Sequence, residues 1–432
     1  MDWLLPLVIV GTMFLLFVIT RGLGGLRQRA SRRASRSRRD AQRRHARLFG
    51  FTRGFAKPRS PRSAAVYIAK PPRAFCFRNP RTGIYLDLAQ DGDAEKLARW
   101  KLPALHTAAD IAQWLGMPLN RLAWLAHQCR KGRADGVRQS HYHYTWRKKR
   151  TGGVRLIESP KRELRAIQRK ILREMLDLVP VSNAAQGFVK KCSIRTHAAV
   201  HQKPALLLRF DLKDFYASVT FNRVVAIFRT LGYSREVAIW LARLTTAAIP
   251  TNLTSPKDDP LAAWRYRRRH LPQGAPTSPA LANLSAYYLD QRLAGLAKSF
   301  DARYSRYADD LTFSGDESLD TKLRLFIQLV ELIIRTERFH SNRQKRQVLR
   351  RHQRQMITGV VVNERPNICR RDFDTLKAIL TNCVKSGPAS QNRDQHPNFT
   401  AHLAGRIAHV AAFHPARAEK LRRLYARIDW SR

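Results

Sequence analysis

Acidic residues and cysteines are both scarce in this chain. The 432 residues include 32 Asp and Glu against 80 Lys and Arg, which gives a formal net charge of +48. The five cysteines are widely scattered and form no CxxC pair: Cys76, Cys129, Cys192, Cys369 and Cys383. Their spacing excludes a cysteine-based zinc framework and predicts reduced thiols in a cytosolic compartment.

The excess of basic residues extends beyond the N-terminal region. Residues 1–62 carry 15 basic and 2 acidic side chains, which leaves a net charge of +35 on residues 63–432. A compact chain with this charge repels itself unless a polyanion neutralises it. Nucleic acid and anionic lipid are the two candidate polyanions. Because the folded body itself carries most of the charge, nucleic acid is favoured.

An uncharged apolar run lies at the start of the chain. Residues 3–20 would span about 27 Å as a helix, just enough to cross a hydrocarbon core. Eleven Arg and one Asp follow in residues 21–47, so the positive-inside rule places the body in the cytoplasm. We therefore predict a single-pass anchor at residues 1–20, on the cytoplasmic face of the inner membrane, and a basic linker at residues 21–63. A cleaved signal peptide and a wrongly assigned start codon are the alternatives.

The next segments predict a helical extension and then a hairpin. Residues 64–140 include TAADIAQWLGMPLNRL, which suggests either a helix–turn–helix pair or an ordinary helical subdomain. Aromatic and basic residues alternate in residues 141–158 around Gly152 and Gly153, which predicts a β-hairpin. A helix with one basic face is predicted to begin at Ser159–Pro160. Its predicted apolar face comprises Leu164, Ile167, Ile171, Leu172, Met175 and Leu176.

Three short blocks carry residues suited to catalysis. LLLRFDLKDFYASV (206–219) predicts a buried strand that ends at Asp211. LPQGAPTSPALANL (271–284) predicts a Gly- and Pro-rich loop that leads into a helix. SRYADDLTFSG (305–315) places two adjacent aspartates within a β-like pattern. An Asp-Asp pair alone is usually a solvated turn, but this ordered set of three blocks is specific.

The aspartates of the first and third blocks predict a metal site. Adjacent carboxylates resist burial unless a cation offsets their repulsion, and Mg²⁺ prefers hard oxygen ligands. If Asp211 and Asp309 lie on neighbouring strands, they can hold two Mg²⁺ ions. One ion would activate a 3′-hydroxyl and the other would stabilise the leaving pyrophosphate. Asp310 would support the site or bind metal intermittently.

The three blocks resemble the motifs of reverse transcriptases, with Asp211 in the first palm block and the YxDD box at Tyr307–Asp310. The resemblance covers about residues 140 to 430. It implies an α+β right-hand polymerase fold with fingers, a palm containing an antiparallel sheet, and a helical thumb. The implied boundaries are 141–205 for the fingers, 206–363 for the palm with inserted fingers elements, and 364–432 for the thumb.

The same resemblance implies roles for nucleotide-binding residues. Tyr216 falls at the steric gate, whose ring would exclude a 2′-hydroxyl and favour dNTPs. Gln273 and Gly274 match the loop that packs on the templating pair and the incoming nucleotide. Arg155 matches a basic finger position that contacts the triphosphate. Lys345, in SNRQK, matches a lysine that can donate a proton to pyrophosphate, although a surface cation is the alternative interpretation.

Two further blocks resemble the retron branch of the family. AAQGFVKKCSIRTHAAVH (184–201) resembles the block written NAxxH, with His197 where Asn is usual. QMITGVVVN (355–363) resembles the VTG block. The helical, basic tail resembles a thumb that recognises structured RNA through shape and phosphates. The residues that this resemblance assigns to RNA binding are His201, Thr358 and Gly359.

The retron resemblance implies a specific reaction. The enzyme would prime from an internal 2′-hydroxyl of a cognate noncoding RNA and copy part of that RNA into RNA-linked single-stranded DNA. Its implied role is antiphage defence with a separate effector protein. Two alternatives are a non-retron polymerase with the same palm, and a membrane-tethered RNA-binding protein on an inactive polymerase fold. The intact Asp211, Asp309 and Asp310 disfavour the inactive fold.

Overall fold

The computed structural model describes residues 91–126, 140–149, 152–257 and 259–431. Before residue 91 it describes only the backbone of three two-residue strands. These elements belong to the unit Val66–Arg432. The predicted anchor at residues 1–20 and linker at residues 21–63 lie outside the described residues. Among the described residues, every helix is too short or too polar to cross a membrane.

The strands of the described chain form two antiparallel pairs, one three-stranded sheet and one four-stranded sheet. They are β1 (Tyr67–Ile68), β2 (Phe77–Arg78), β3 (Tyr85–Leu86), β4 (Tyr142–Lys148), β5 (Val154–Pro160), β6 (Leu206–Asp211), β7 (Arg303–Tyr307), β8 (Asp310–Gly315), β9 (Gln347–Arg350), β10 (Met356–Ile357) and β11 (Val360–Val361). The strands β1, β3 and β2 pair in that order, β4 pairs with β5, and β10 pairs with β11.

The helices alternate with these strands and then form the C-terminal part alone. They are α1 (Ala94–Arg99), α2 (Ala108–Leu115), α3 (Leu119–Ala126), α4 (Arg162–Glu174), α5 (Ile194–Val200), α6 (Phe215–Ser218), α7 (Phe221–Thr230), α8 (Arg235–Thr245), α9 (Ser278–Ser285), α10 (Tyr287–Lys298), α11 (Glu317–Thr321), α12 (Leu323–Thr336), α13 (Arg370–Ser386), α14 (Phe399–Phe413) and α15 (Pro415–Ala426). Single 3₁₀ turns lie at Leu176–Leu178, Ala262–Tyr266, Arg343–Lys345 and Pro388–Ser390.

The predicted pair of short helices ahead of the hairpin is confirmed as α2 and α3. Thr107 begins α2 with a capping box, and Gly116 ends it in a left-handed conformation with φ 70°. These are the start and stop signals expected of a short helix. Both helices pack on α8, with Ile111 and Leu122 fully buried. This packing fits an ordinary helical subdomain.

The predicted hairpin is confirmed as β4 and β5, but the helix after it begins later than predicted. Ser159–Pro160 was expected to cap the helix; instead, both residues remain in β5, paired with the start of β4. Lys161 is the N-cap, and α4 starts at Arg162. The prediction was wrong because the cross-strand pairing extends the strand past the local helix-start signal. The buried residues of α4 are Leu164, Ile167, Gln168 and Ile171.

A buried ion pair fastens the hairpin to the segment that precedes the LPQG loop. His270 Nε2 lies 2.8 Å from Glu158 Oε2, and both side chains are almost wholly buried. The other ring nitrogen, Nδ1, lies 2.7 Å from the carbonyl oxygen of Arg268. Burial alone would lower the pKa of His270, but the attraction of Glu158 raises it. The imidazolium can therefore donate to both acceptors, which fixes β5 against this segment.

The central four-stranded sheet has the order β7-β8-β6-β9, and all its neighbours are antiparallel. The predicted antiparallel sheet is therefore confirmed. The strand β6 lies inside the sheet, which explains its nearly continuous apolar sequence. Phe313 of β8 packs edge-on against Phe210 of β6 and Phe326 of α12. The helix α12 thus covers one face of the sheet.

The helices α13, α14 and α15 form the C-terminal part with a hydrophobic core of its own. The helical tail predicted from residue 364 onward is therefore confirmed as a structural element. The buried residues of this core are Ile368, Leu376, Leu380, Cys383, Leu403, Ile407, Val410, Ala418, Leu421 and Ile428. Among the described cysteines, Cys192, Cys369 and Cys383 are free thiols.

Candidate active site

Sheet register brings the three predicted aspartates to one end of the sheet. Asp211, the last residue of β6, lies directly opposite Asp310, the first residue of β8. Asp309 precedes β8 in the β7–β8 turn, and its carbonyl oxygen accepts a hydrogen bond from the backbone N–H of Leu212 at 2.8 Å. The predicted placement of these carboxylates on neighbouring strands is confirmed.

The turn between β7 and β8 consists of Ala308 and Asp309. Tyr307 and Asp310 pair across it, and Ala308 has a left-handed φ of 56°. Such a conformation at a non-glycine residue costs on the order of 1 kcal/mol and persists where surrounding contacts determine it. The contacts that hold this turn are therefore part of the site.

A fully buried guanidinium supplies the main contact. Arg306 donates from Nε and from an Nη to the two carboxylate oxygens of Asp290, both at 2.8 Å. Its other Nη donates at 3.0 Å to the side-chain oxygen of Asn283 and to the turn carbonyl of Ala308. Tyr304 donates to Asp290 as well, at 2.8 Å. The network ties the turn to the helices α9 and α10.

The predictions from sequence did not include Arg306, Asp290 or Asn283. The available signal was indirect: Arg306 stands one residue before the YxDD box, and Asp290 is an isolated acidic residue in the stretch that follows the LPQG block. Charged residues are seldom fully buried unless they are paired. Their pairing, however, could be seen only once the helix and the strand were placed together.

The loop at residues 184–187 also supports the β7–β8 turn. The backbone of Arg306 accepts a hydrogen bond from Gln186 and donates one to Ala184, each at 2.7 Å. Any Cβ atom at Gly187 would lie 2.8 Å from the backbone nitrogen of Ala308, closer than real contacts allow. The glycine therefore permits the loop to lie directly against the β7–β8 turn.

The carboxylates are close enough to perturb one another. Burial and the charges of Asp310 and Asp211 raise the pKa of Asp309 to about 6. The pKa of Asp310 is also raised, chiefly by burial. Lys345 Nζ lies 2.7 Å from Asp211 Oδ1, and an Nη of Arg209 lies 3.7 Å from Asp310 Oδ2. Cations thus already contact two of the three aspartates.

The donor set fits divalent metal ions by its chemistry. Within the described residues, no group of three or more acidic, His or Cys side chains is arranged to hold a metal ion. Instead, the Lys345 ammonium contacts one oxygen of Asp211. The raised pKa values of Asp309 and Asp310 show mutual repulsion and burial, which a dication would relieve. All the available donors are hard carboxylate oxygens, which suit Mg²⁺.

Tyr216 lies beside the aspartates, where the steric gate was predicted. It belongs to the short helix α6, which follows β6 through the left-handed residue Asp214. Burial, together with the negative charge of Asp309, raises the pKa of Tyr216 to about 12. The phenol is therefore neutral, and it lies near enough to Asp309 for the two groups to interact electrostatically.

The loop residues Gln273 and Gly274 pack against the β4–β5 hairpin. The carbonyl oxygen of Gln273 accepts a hydrogen bond from the backbone N–H of Glu158 at 2.8 Å. Gly274 has φ 130°, and a Cβ there would lie 3.0 Å from the carbonyl oxygen of Glu158. Only glycine suits both the conformation and this approach.

Arg155 is exposed on β5, and the register shows a partner that the sequence alone did not identify. Arg147 of β4 lies directly opposite Arg155, and both side chains are exposed. Like charges in this arrangement destabilise a strand pair. An anionic ligand between the two guanidinium groups would remove that repulsion. Identifying Arg147 required the exact hairpin register.

The structure places His201 inside the protein. Its ring nitrogens lie 2.7 Å from the hydroxyl oxygens of Ser314 and Ser305, on adjacent strands, and its side chain is fully buried. Burial lowers the pKa of His201 to about 3 and that of His197 to about 4, so both are neutral. His201 therefore joins α5 to the sheet; it can influence RNA only through α5, because its side chain is inaccessible.

Thr358 and Gly359 form the turn between β10 and β11. Both have positive φ angles, 47° and 86°, as in a two-residue type I′ hairpin turn. Ile357 and Val360, on either side, pack with the buried Leu207 of β6. Gly359 remains exposed at the tip, where a ligand could approach its backbone.

Comparisons with known proteins agree with this geometry. A family model described as reverse transcriptase (RNA-dependent DNA polymerase) matches residues 146–362. The retron Mx65 reverse transcriptase of Myxococcus xanthus is 40% identical over 334 residues, covering 77% of this chain and 74% of that protein. The retron Mx162 reverse transcriptase of the same organism is 37% identical over 270 residues, covering 61% and 54% of the two chains. The retron Ec86 reverse transcriptase of Escherichia coli is 35% identical over 237 residues, covering 54% and 67%.

The fold and the site define an RNA-directed DNA polymerase of the reverse transcriptase family. Within that family, the chain belongs to the retron-type reverse transcriptases, as its matches to three retron enzymes show. The resemblance carried by the palm blocks and by the two retron blocks is thereby confirmed.

Replacing Arg306 by Met should leave the buried carboxylate of Asp290 without a cation. We expect the free energy of unfolding to fall by roughly 3–5 kcal/mol and polymerase activity to fall with it, because the turn carbonyl loses its donor. Urea unfolding measures the first effect. Arg303→Met, at an exposed position on the same strand, should cost less than about 0.5 kcal/mol. Equal losses for both variants would contradict the assigned role of the buried pair.

Proposed function

We propose that Asp211, Asp309 and Asp310 form a two-Mg²⁺ polymerisation centre that copies a cognate noncoding RNA into RNA-linked single-stranded DNA. The register that sets Asp211 opposite Asp310, with Asp309 in the adjoining turn, is the observation that carries this proposal. Bound Mg²⁺ would supply charge neutralisation for the attacking 3′-hydroxyl and the leaving pyrophosphate. The three carboxylates would hold these ions.

Neighbouring side chains would bind and orient the nucleotide. Arg147 and Arg155, exposed opposite one another, would clamp the triphosphate, which explains the tolerance of two like charges at one position of the hairpin. Lys345 would move from Asp211 towards pyrophosphate and donate a proton there. The half-buried ring of Tyr216 would exclude a 2′-hydroxyl.

The RNA partner would contact the thumb and the retron blocks. The net charge of +48 supplies the electrostatic attraction for a structured RNA. The exposed Gly359 offers backbone contacts at the β10–β11 turn, close to the helices of the thumb. We further propose that the RNA–DNA product acts in antiphage defence together with a separate effector protein.

The cellular location is a proposal drawn from the sequence. An apolar helix at residues 3–20 would anchor the enzyme in the inner membrane, and the basic linker at residues 21–63 would bind anionic lipid on the cytoplasmic face. The polymerase and its product would then be held at the membrane surface.

Cells that express the enzyme with about a kilobase of native upstream DNA should yield a protein-bound RNA-linked single-stranded DNA. Nuclease digestion of the purified nucleic acid identifies both components. Asp309→Ala should abolish the DNA, because Asp309 is central to the carboxylate cluster. Asp320→Ala, which removes only an exposed ion pair with Arg350, should leave it unchanged. RNA without DNA in the wild-type protein would contradict the proposal.

Substitution of Tyr216 by Ala should relax sugar selectivity. We expect the use of ribonucleotides relative to deoxynucleotides to rise by at least about tenfold, the factor given by ~1.4 kcal/mol of steric exclusion. Tyr216→Phe keeps the ring and should keep the selectivity. Primer extension with each nucleotide set measures the ratio. Unchanged sugar selectivity in Tyr216→Ala would contradict the proposed role of Tyr216 as the steric gate.

Cell fractionation tests the anchor. The full-length chain should sediment with the inner membrane, whereas a variant lacking residues 1–62 should remain in the supernatant. A full-length protein recovered wholly in the soluble fraction would rule out the anchor without affecting the proposed chemistry.

A further inference from the structure

The thumb contains a cavity to which the catalytic account assigns no role. It has a volume of about 440 Å³ and lies between α13 and α14, with Gly359 of the β10–β11 turn at its edge. Volumes of roughly 300–1,000 Å³ are typical of sites for small ligands. The cavity therefore has room for one nucleotide.

The floor and the wall of the cavity differ in chemistry. Leu376 and Val410, both buried members of the thumb core, contribute to the floor. His402, Arg406 and His409 line the wall, at spacings that put them on one face of α14. An apolar floor suits the flat face of a nucleobase, and the adjacent guanidinium suits its phosphate.

Aromatic stacking already occurs at this wall. The His402 ring stacks on His396 with centroids 4.3 Å apart and an interplanar angle of 27°. It also lies nearly parallel to Phe399, at 6.3 Å. Rings held in this way provide a stacking surface for an unpaired base. Asp372, the one acidic side chain among the described lining residues, can accept a hydrogen bond from an N–H at the base edge.

We propose that this cavity binds a single unpaired nucleotide of the RNA partner. The base lies against Leu376 and Val410, and the phosphate lies at Arg406. The inference rests on the proposed binding of a noncoding RNA, and it adds a discrete site to the general attraction of the basic surface. A base within a duplex is stacked on both faces, so the recognised nucleotide must lie in a loop, a bulge or a single-stranded end.

Gly405 allows the cavity to be filled without disturbing the core. A Cβ atom added there would meet nothing within 4 Å, although Gly405 lines the cavity. In Gly405→Leu the new side chain therefore extends into the space proposed for the base. Ala408→Leu adds a similar side chain at an exposed position of the same helix, outside the cavity lining described here. Gly405→Leu also improves the helix propensity of its position.

The experiment measures the affinity of the full-length protein for the RNA recovered from the wild-type protein. Gly405→Leu should weaken binding about tenfold, in line with the loss of one stacked base, whereas Ala408→Leu should not. Extension of a DNA primer on an unrelated RNA template should be unchanged in both variants, since Gly405 is outside the catalytic site.

A second variant keeps the test decisive if Gly405→Leu does not fold. Arg406→Gln removes the charge but leaves the cavity open. It should weaken RNA binding and lower the slope of log affinity against log salt concentration by about one. Any one of three results would overturn the inference alone. They are wild-type RNA affinity in Gly405→Leu, wild-type RNA affinity in Arg406→Gln, and a loss of RNA affinity in Ala408→Leu as large as that in Gly405→Leu. A wild-type protein that retains no RNA would overturn the proposed function and this inference together.

Discussion

The buried ion pair of Arg306 and Asp290 is the interaction on which the catalytic site depends. Removing two charges from water costs several kcal/mol per ion, which only good geometry and further hydrogen bonds offset. Here the guanidinium meets both carboxylate oxygens, an amide and the carbonyl of Ala308. Because the same group reaches a strand, two helices and the turn, it positions the carboxylates of that turn.

The remaining parts of the site are positioned by backbone pairing. Sheet register sets Asp211 against Asp310, and the hairpin register sets Arg147 against Arg155. Glu158 connects the β4–β5 hairpin to the segment at residues 270–273. Its backbone N–H donates to the carbonyl oxygen of Gln273, and its carboxylate pairs with His270. The three aspartates and the Arg147–Arg155 pair are thus positioned by different elements.

Local patterns predicted much of this arrangement, and pairings distant in sequence account for what they missed. The first and third palm blocks predicted the strands and the three aspartates, because each of these two blocks contains both apolar strand residues and its aspartates. The sequence around Arg306 and Asp290 does not indicate that the two side chains form an ion pair. His201 was assigned to RNA from its motif, yet burial between Ser305 and Ser314 gives it a structural role. The helix α4 begins later in the sequence than predicted, because cross-strand pairing outweighs the helix-start signal of Ser159–Pro160.

Primer extension by the purified full-length chain, on an RNA template with a DNA primer, tests the central claim most directly. The site described here requires that DNA synthesis occur with dNTPs and Mg²⁺ and stop when a chelator removes the metal. It also requires that Asp211→Asn abolish synthesis, because that carboxylate faces Asp310 across the sheet. Extension that persists without divalent metal, or in Asp211→Asn, would contradict the assignment of these carboxylates as the polymerisation centre.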